Sequence, residues 1–157
     1  MPNLVHSSRR WSLDSLSADE RQRVIDMAAM LERTAHTGQT VQTLRGKNLA
    51  VLCEDPDCPG LDSFRRAALA LGARVTHILP SEILASPAHA PQAFGSLLGR
   101  LYDAIDCHGL APEVVEQLAE ATGKPVFNEM ACQASARAPG PLHDEFTLQA
   151  LLLSALA

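Results

Sequence analysis

The chain has 157 residues, of which 46% are hydrophobic and 20% charged, and its formal net charge is −5 at pH 7. Its basic residues are scattered among a larger number of acidic ones, which excludes the basic surface that nucleic-acid binding needs. No apolar run approaches the ~20 residues that cross a bilayer, and the polar start MPNLVHSSRRW lacks the apolar segment of a secretory signal. We therefore expect one compact cytoplasmic domain with no membrane or nucleic-acid partner.

The first predicted element is a helix that begins at Ser17 and runs to about Ala35. The Ser17 hydroxyl is placed to cap the helix, and the acidic residues that follow it suit the positive end of the helix dipole. Apolar residues then recur at helical spacing, at Val24, Ile25, Ala28 and Leu31. After a polar stretch, the apolar run NLAVLC at residues 48–53 is typical of a buried parallel strand.

The rest of the chain alternates between helical and strand patterns. Helices are predicted at about 62–71, 92–102, 112–122 and 144–157, and strands at 74–79, 103–107 and 125–128. Residues 55–60, 80–91 and 131–141 are rich in Pro and small or polar residues and are predicted loops. This rhythm predicts an α/β fold, a doubly wound four-stranded parallel sheet with helices on both faces, of the Rossmann-like or flavodoxin-like kind.

Four blocks in this order carry a family resemblance: LRGKNLAVL from Leu44, FRRAALALGARVTHI from Phe64, LLGRLYDAID from Leu97 and GKPVFN from Gly123. Together they closely resemble the amino-terminal, carbamoyl-phosphate-binding domain of ornithine and aspartate carbamoyltransferases, with the ornithine type nearer. The resemblance implies a cytoplasmic two-domain enzyme of amino acid metabolism, usually trimeric, that transfers a carbamoyl group to an amine. We expect residues 1–157 to be a single domain of this type, without the second, amino-acid-binding domain.

The loop after the first strand departs from this family. The resemblance places a Ser-Thr-Arg-Thr-Arg phosphate-binding sequence there, and this chain has Asp57, Cys58, Pro59, Gly60 and Leu61 instead. Both arginines are lost, a carboxylate replaces a hydroxyl, and a proline removes a backbone N–H donor. A bound dianion would therefore meet repulsion at Asp57.

Two further family contact points are altered. Cys107-His108-Gly109 stands where the family has an arginine in a Tyr-Arg-Gly context, and only Gln149 of Phe146-Thr147-Leu148-Gln149 matches the family's His-Pro-x-Gln. His108 is either a partial substitute for the arginine when protonated or an ordinary loop histidine. The resemblance thus implies a degenerate ligand crevice formed by Asp57, Cys58, Gly60, Leu61, Ser63, His108 and Gln149, with no catalytic residue, metal or cofactor.

The cysteines and acidic residues near this crevice leave two alternatives open. Cys53, Cys58, Cys107, His108 and Cys132 should gather beyond the strand ends, which would allow a metal site, but dispersed single ligands are also typical of free thiols that fill the core. Alternatively, Asp57 or Asp62 folds back onto the N–H groups at the start of the next helix and replaces the anion.

Three functions compete at this point. The preferred one is a catalytically inactive relative, a pseudoenzyme acting as a binding or assembly module, possible as a homo-oligomer or with a partner chain. The second is a carbamoyltransferase completed by a neighbouring subunit or partner, and the third is a metal or small-anion sensor. The apolar final helix, FTLQALLLSALA from Phe146, fits either burial in an oligomer or closure of the chain's own core.

Overall fold

A computed structural model describes residues 10–11, 16–39, 41–55, 57, 59–81, 91–128 and 144–156. Strands and helices alternate along nearly the whole of this length. The strands are β1 (Arg10–Trp11), β2 (Asn48–Leu52), β3 (Arg74–Ile78), β4 (Ala104–Cys107) and β5 (Val126–Asn128). The helices are α1 (Ala18–His36), α2 (Pro59–Ala70), α3 (Pro91–Leu101), α4 (Pro112–Thr122) and α5 (Asp144–Leu156).

The strands form one five-stranded sheet in the order β1-β5-β4-β2-β3, and every neighbouring pair is parallel. The interior strand β2 pairs Leu52 with Ile78 of β3 on one side and with Cys107 of β4 on the other. Strand order therefore reverses between β2 and β4, because the chain goes from β2 to β3 at one edge and then continues on the opposite side. In such sheets, ligands bind beyond the carboxyl ends of the strands at this reversal.

Alternation of side chains along β2 divides the core into two layers. Leu49 and Val51 face a cluster that includes residues of α1, α2 and α5, whereas Ala50 and Leu52 face a cluster that includes residues of α3 and α4. All four side chains are fully buried. Helices thus cover both faces of the sheet, and the predicted doubly wound α/β fold is confirmed.

The first helix begins as its sequence predicts. The Ser17 hydroxyl accepts a hydrogen bond from the backbone N–H of Glu20 at 3.1 Å, and the Glu20 carboxylate accepts one from the Ser17 N–H at 2.9 Å. This reciprocal arrangement satisfies two backbone donors at the helix start. Val24, Ala28 and Leu31 form the buried side of α1.

The last helix is covered by its own chain. Residues 147–153 of α5 are seven consecutive buried residues, which is nearly two full turns, so no side of this stretch faces solvent. The helix packs against α1 and α2. Of the two interpretations of this apolar helix, closure of the domain's own core is the one that the burial supports.

Most element boundaries lie within one or two residues of the sequence prediction, and three places differ. Pro80 and Ser81, predicted to begin a loop, are helical, since proline suits the first turn of a helix. β1 was missed, because a two-residue strand at a sheet edge has no apolar run to signal it. Helix α2 begins at Pro59 rather than near Asp62, which is consistent with the preference of proline for the first turn of a helix. Within the described ranges, no helix is both long and apolar enough to cross a membrane.

Candidate functional site

The carboxyl ends of β2 and β4 lie side by side at the point where strand order reverses. The backbone N–H of His108, just after β4, donates to the carbonyl of Leu52, the last residue of β2, at 2.9 Å. The loop after β2 therefore begins next to His108. These two strand ends define the crevice, which is the candidate functional site of this domain.

The loop after β2 is acidic, and one of its backbone donors is bonded to a carboxylate of the loop itself. Glu54 and Asp57 are exposed, and the carboxylate of Asp55 accepts a hydrogen bond from the Asp57 N–H at 2.9 Å. The thiol of Cys53 donates to the carbonyl of Asp55 at 3.2 Å. A backbone N–H of this loop is thus already bonded to a carboxylate, that of Asp55. The predicted capping of the helix start by Asp57 or Asp62 remains a prediction.

At the carboxyl end of β4, Asp106 of the strand and His108 just after it form a buried acid–histidine pair. Nε2 of His108 lies 2.7 Å from Oδ2 of Asp106, and the two side chains are 3% and 0% exposed. Residues 106 and 108 are two apart in extended backbone, so both side chains leave the same face of the sheet. His108 is therefore not the ordinary loop histidine that one sequence interpretation allowed; it is a buried residue with a carboxylate partner.

Cys107 and Cys53 lie on opposite faces of the sheet. Cys53 belongs to the core cluster that contains α2 and α5 residues, and Cys107 to the one that contains α3 and α4 residues. Burial, with a further contribution from the Asp106 carboxylate, raises the pKa of the Cys107 thiol far above its ordinary value. Both described cysteines are free and buried, which is the core-filling role that the sequence left open.

The remaining predicted site residues on α2 differ in their surroundings. Gly60 lies in the first turn of α2, and Leu61 is 3% exposed and packs in the core cluster, so its side chain is a structural one. Ser63 is half-buried on the same helix. Cys58 lies outside the described residues, as does Cys132, so their predicted position at the crevice is not tested.

Gln149 and its neighbours belong to the buried part of α5. Gln149 is 5% exposed, and the Thr147 hydroxyl is buried with no hydrogen-bond partner. The helix that carries them lies on the same side of the sheet as α1 and α2. Gln149 thus lies in a buried stretch of α5, whereas Asp57 and His108 follow neighbouring strands, and its contribution to the crevice remains a prediction.

A metal centre built from clustered side chains is not seen in the part of the chain that the structure describes, where His, Cys, Asp and Glu form no group of three or more. Cys53 and Cys107 do not approach a shared position, because they point to opposite sides of the sheet.

Sequence reasoning missed two residues of this edge, Asp106 and Glu54. A charged residue inside the otherwise apolar strand AIDC was a usable signal for Asp106. A buried carboxylate needs a partner, and the nearest polar residue on the same face of the strand is His108. The bond between Glu54 and Ser81 joins residues 27 apart in sequence. No local pattern could have revealed that contact.

Comparisons with known proteins give the family. Residues 10–137 match the family model described as aspartate/ornithine carbamoyltransferase, carbamoyl-P binding domain. The catabolic ornithine carbamoyltransferases of Pseudomonas putida and Burkholderia mallei are each 34% identical to the chain over 124 residues. Those alignments cover 79% of this chain and 37% of each relative, so the chain spans well under half the length of these relatives.

Solved structures agree on the fold. The ornithine carbamoyltransferase from Pyrococcus furiosus superposes with a TM-score of 0.73 at 24% identity, over 85% of this chain and 45% of that one. The catalytic subunit of M. jannaschii aspartate transcarbamoylase gives 0.69 at 18% identity, over 79% and 43%. Since the family model covers most of the sequence, the chain belongs to the aspartate/ornithine carbamoyltransferase family and its fold is that of the family's carbamoyl-phosphate-binding domain.

Proposed function

We propose that this domain does not catalyse carbamoyl transfer by itself and that it acts as a binding or assembly module. The observation that carries the proposal is the buried pair of Asp106 and His108 at the crevice. The family resemblance implies a permanent guanidinium at the position of His108. A histidine that is bonded to a carboxylate at 2.7 Å differs from that guanidinium in its charge and in the groups available to bind a phosphate.

The charge of the pair explains why it is a poor substitute for an arginine. With Asp106 ionised, the pair carries a net charge of zero when His108 is protonated and is negative when His108 is neutral. Neither state offers the unbalanced positive charge that an arginine presents to a phosphate. The side chains are also almost completely removed from solvent, so their donors do not face outward.

The loop after β2 adds to the same effect. Glu54, Asp55 and Asp57 bring three carboxylates to the edge where the resemblance implies hydroxyls and arginines, and one loop N–H is already bonded to Asp55. Each lost hydrogen bond to a charged group costs roughly 1.5 to 3 kcal/mol of binding free energy. Several such losses, with added repulsion, leave little affinity for a dianion.

Support for a binding or assembly role comes from the retained fold and from a fold relative. The complete two-layer core shows that the scaffold is kept although the crevice has changed. One relative is, by its title, the catalytic subunit of an aspartate transcarbamoylase, so that chain works as part of an assembly. A homo-oligomer or a partner chain is proposed here by analogy with it.

An enzyme completed by another chain is the second candidate, and one observation favours it. The alignment covers only 37% of the length of the ornithine carbamoyltransferase from Pseudomonas putida, so most of that relative lies outside it. In that case a neighbouring subunit or partner would supply both the amine site and the missing cations.

A phosphate-release assay separates the two candidates. The purified chain is incubated with carbamoyl phosphate and ornithine, and separately with aspartate, beside an intact ornithine carbamoyltransferase as positive control. We expect no phosphate release above spontaneous hydrolysis. Turnover by the chain that disappears in Gln149→Ala would overturn the proposal, and turnover that appears only after a second chain is added would favour the enzyme candidate.

Ligand binding and assembly are measured independently of turnover. Thermal shift with carbamoyl phosphate, inorganic phosphate, amino acids and divalent metals reports binding, because a ligand that binds only the folded state raises its melting temperature. We expect no shift with either phosphate compound. Light scattering at micromolar concentration tests assembly, and a strict monomer with no bound partner would remove the assembly half of the proposal.

A further inference from the structure

The loops that follow β2 and β3 are joined by one side chain, that of Glu54. Its carboxylate accepts two hydrogen bonds from Ser81, one from the hydroxyl at 2.7 Å and one from the backbone N–H. Glu54 lies two residues after β2, and Ser81 lies three residues after β3. The contact therefore spans the carboxyl edge of the sheet beside the crevice.

Two further hydrogen bonds join Cys53, the residue before Glu54, to β3. The N–H of Cys53 donates to the carbonyl of Ile78 at 3.2 Å, and Nε2 of His77 lies 2.6 Å from the carbonyl of Cys53. The first contact continues the backbone ladder of β2 and β3 by one step beyond the Leu52–Ile78 pair, and the second joins the side chain of His77 to the loop. Cys53, the first residue of the acidic loop, is thus bonded to β3, and the next residue, Glu54, is bonded to Ser81.

We propose that Glu54 is a conformational clasp, a side chain that couples loop residues 53–55 to Ser81 by accepting hydrogen bonds from both Ser81 donors. Both Ser81 donors meet a charged acceptor, and such hydrogen bonds are stronger and more directional than those between neutral groups. Asp57 provides a natural comparison, because it is an exposed carboxylate on the same loop for which the structure shows no bond to Pro80 or Ser81.

The clasp has a consequence for any ligand of the crevice. The acidic loop borders the gap between β2 and β4 on one side and is bonded to Ser81 on the other. A ligand that draws the loop towards β4 must break the Glu54–Ser81 bonds or move Ser81 with it. Occupancy of the crevice and the position of Ser81 are therefore linked, whatever the ligand is.

Amide hydrogen exchange on the purified chain tests the coupling. In Glu54→Ala, we expect the Ser81 amide to exchange about tenfold faster and the Cys53 amide to be accelerated as well, because the loop is released from β3. The Ile105 amide, which donates to the carbonyl of Pro125 elsewhere in the sheet, should keep its rate. Glu54→Gln keeps an acceptor without the charge and should give a smaller acceleration.

Two variants make the test specific. Asp57→Ala removes a carboxylate from the same loop and should leave the Ser81 rate within about twofold of the original. Ser81→Ala removes only the hydroxyl bond and should accelerate the Cys53 amide less than Glu54→Ala does. An unchanged Ser81 rate in Glu54→Ala, an unchanged Cys53 rate, or an equal effect of Asp57→Ala would each overturn the proposal.

Discussion

At Cys107, burial has a consequence for stability at alkaline pH. The raised pKa of this thiol means that the folded chain keeps a proton that the unfolded chain releases above about pH 9. We therefore expect the free energy of unfolding to fall above that pH, with Cys107 contributing up to about 1.4 kcal/mol per pH unit. Urea titrations at pH 8 and pH 10 measure the fall.

Substitution of Cys107 isolates its share of this pH dependence. Cys107→Ala should reduce the loss of stability between the two pH values, because the substituted residue has no proton to release. Ile105→Val, a change at a buried residue on the same face of β4, is the control and should keep the original slope. Equal slopes in Cys107→Ala and the unsubstituted chain would contradict the assignment.

The Asp106–His108 pair should behave as one energetic unit. Removing either side chain leaves a buried polar partner behind, and we expect Asp106→Ala and His108→Ala each to cost about 1–3 kcal/mol. The double variant should cost less than the sum of the two by at least about 1 kcal/mol. Denaturant titrations of the four proteins give this coupling energy.

An exposed hydrogen bond offers the comparison for that cycle. Gln22 donates to Asp26 at 3.0 Å on the surface of α1, and its coupling should stay below about 0.5 kcal/mol. If the Asp106–His108 coupling is no larger than that of the exposed pair, the buried pair is not the stable, charge-compensated unit on which the proposed function depends.

Among the elements, α3 and α4 approach each other through glycine. A Cβ atom at Gly99 would lie 2.4 Å from the carbonyl oxygen of Thr122, and one at Gly95 would lie 2.6 Å from the Cβ of Ala121. Neither contact can be relieved by a side-chain rotation, because one is with the backbone of α4 and the other with a Cβ atom. The small residues on α3 are therefore required by helix packing.

Gly99→Ala tests this close packing. Alanine favours a helix over glycine by about 1 kcal/mol, yet we expect the variant to lose at least about 1 kcal/mol because α3 must move away from α4. Ser96→Ala, an exposed position on the same helix, should be neutral or slightly stabilising. If thermal or urea unfolding shows that Gly99→Ala is more stable than the original chain, the close contact between α3 and α4 does not require glycine at this position.

Predictability from the sequence differs between the strands and the crevice. The apolar runs at β2 and β4 predicted buried parallel strands because residues covered on both sides leave a continuous signal. β1 has no such run, and its pairing with β5 depends on residues more than a hundred positions away. At the crevice, the position of His108 after β4 followed from the strand assignment, but the carboxylate beside it and the contact between Glu54 and Ser81 depend on side-chain geometry.

For the whole molecule, the apolar final helix shows why an apolar sequence alone does not decide between a core and an interface. Both environments favour the same residue types, so the pattern of α5 was compatible with either. Burial by α1 and α2 within one chain resolves the question for residues 147–153. By contrast, Leu97 and Leu101 on α3 are each more than half exposed in the single chain.

Leucine substitutions on α5 and α3 should therefore have unequal effects. Leu151→Ala removes a fully buried side chain, and we expect a loss of about 2–5 kcal/mol in the free energy of unfolding. Leu97→Ala changes a side chain that is 52% exposed and should stay within about 0.5 kcal/mol. Repeating both titrations over a hundredfold range of protein concentration extends the comparison to assembly, because a subunit interface makes stability depend on concentration. A large, concentration-dependent loss in Leu97→Ala would contradict the expected small effect and would place the outer side of α3 in a contact between subunits.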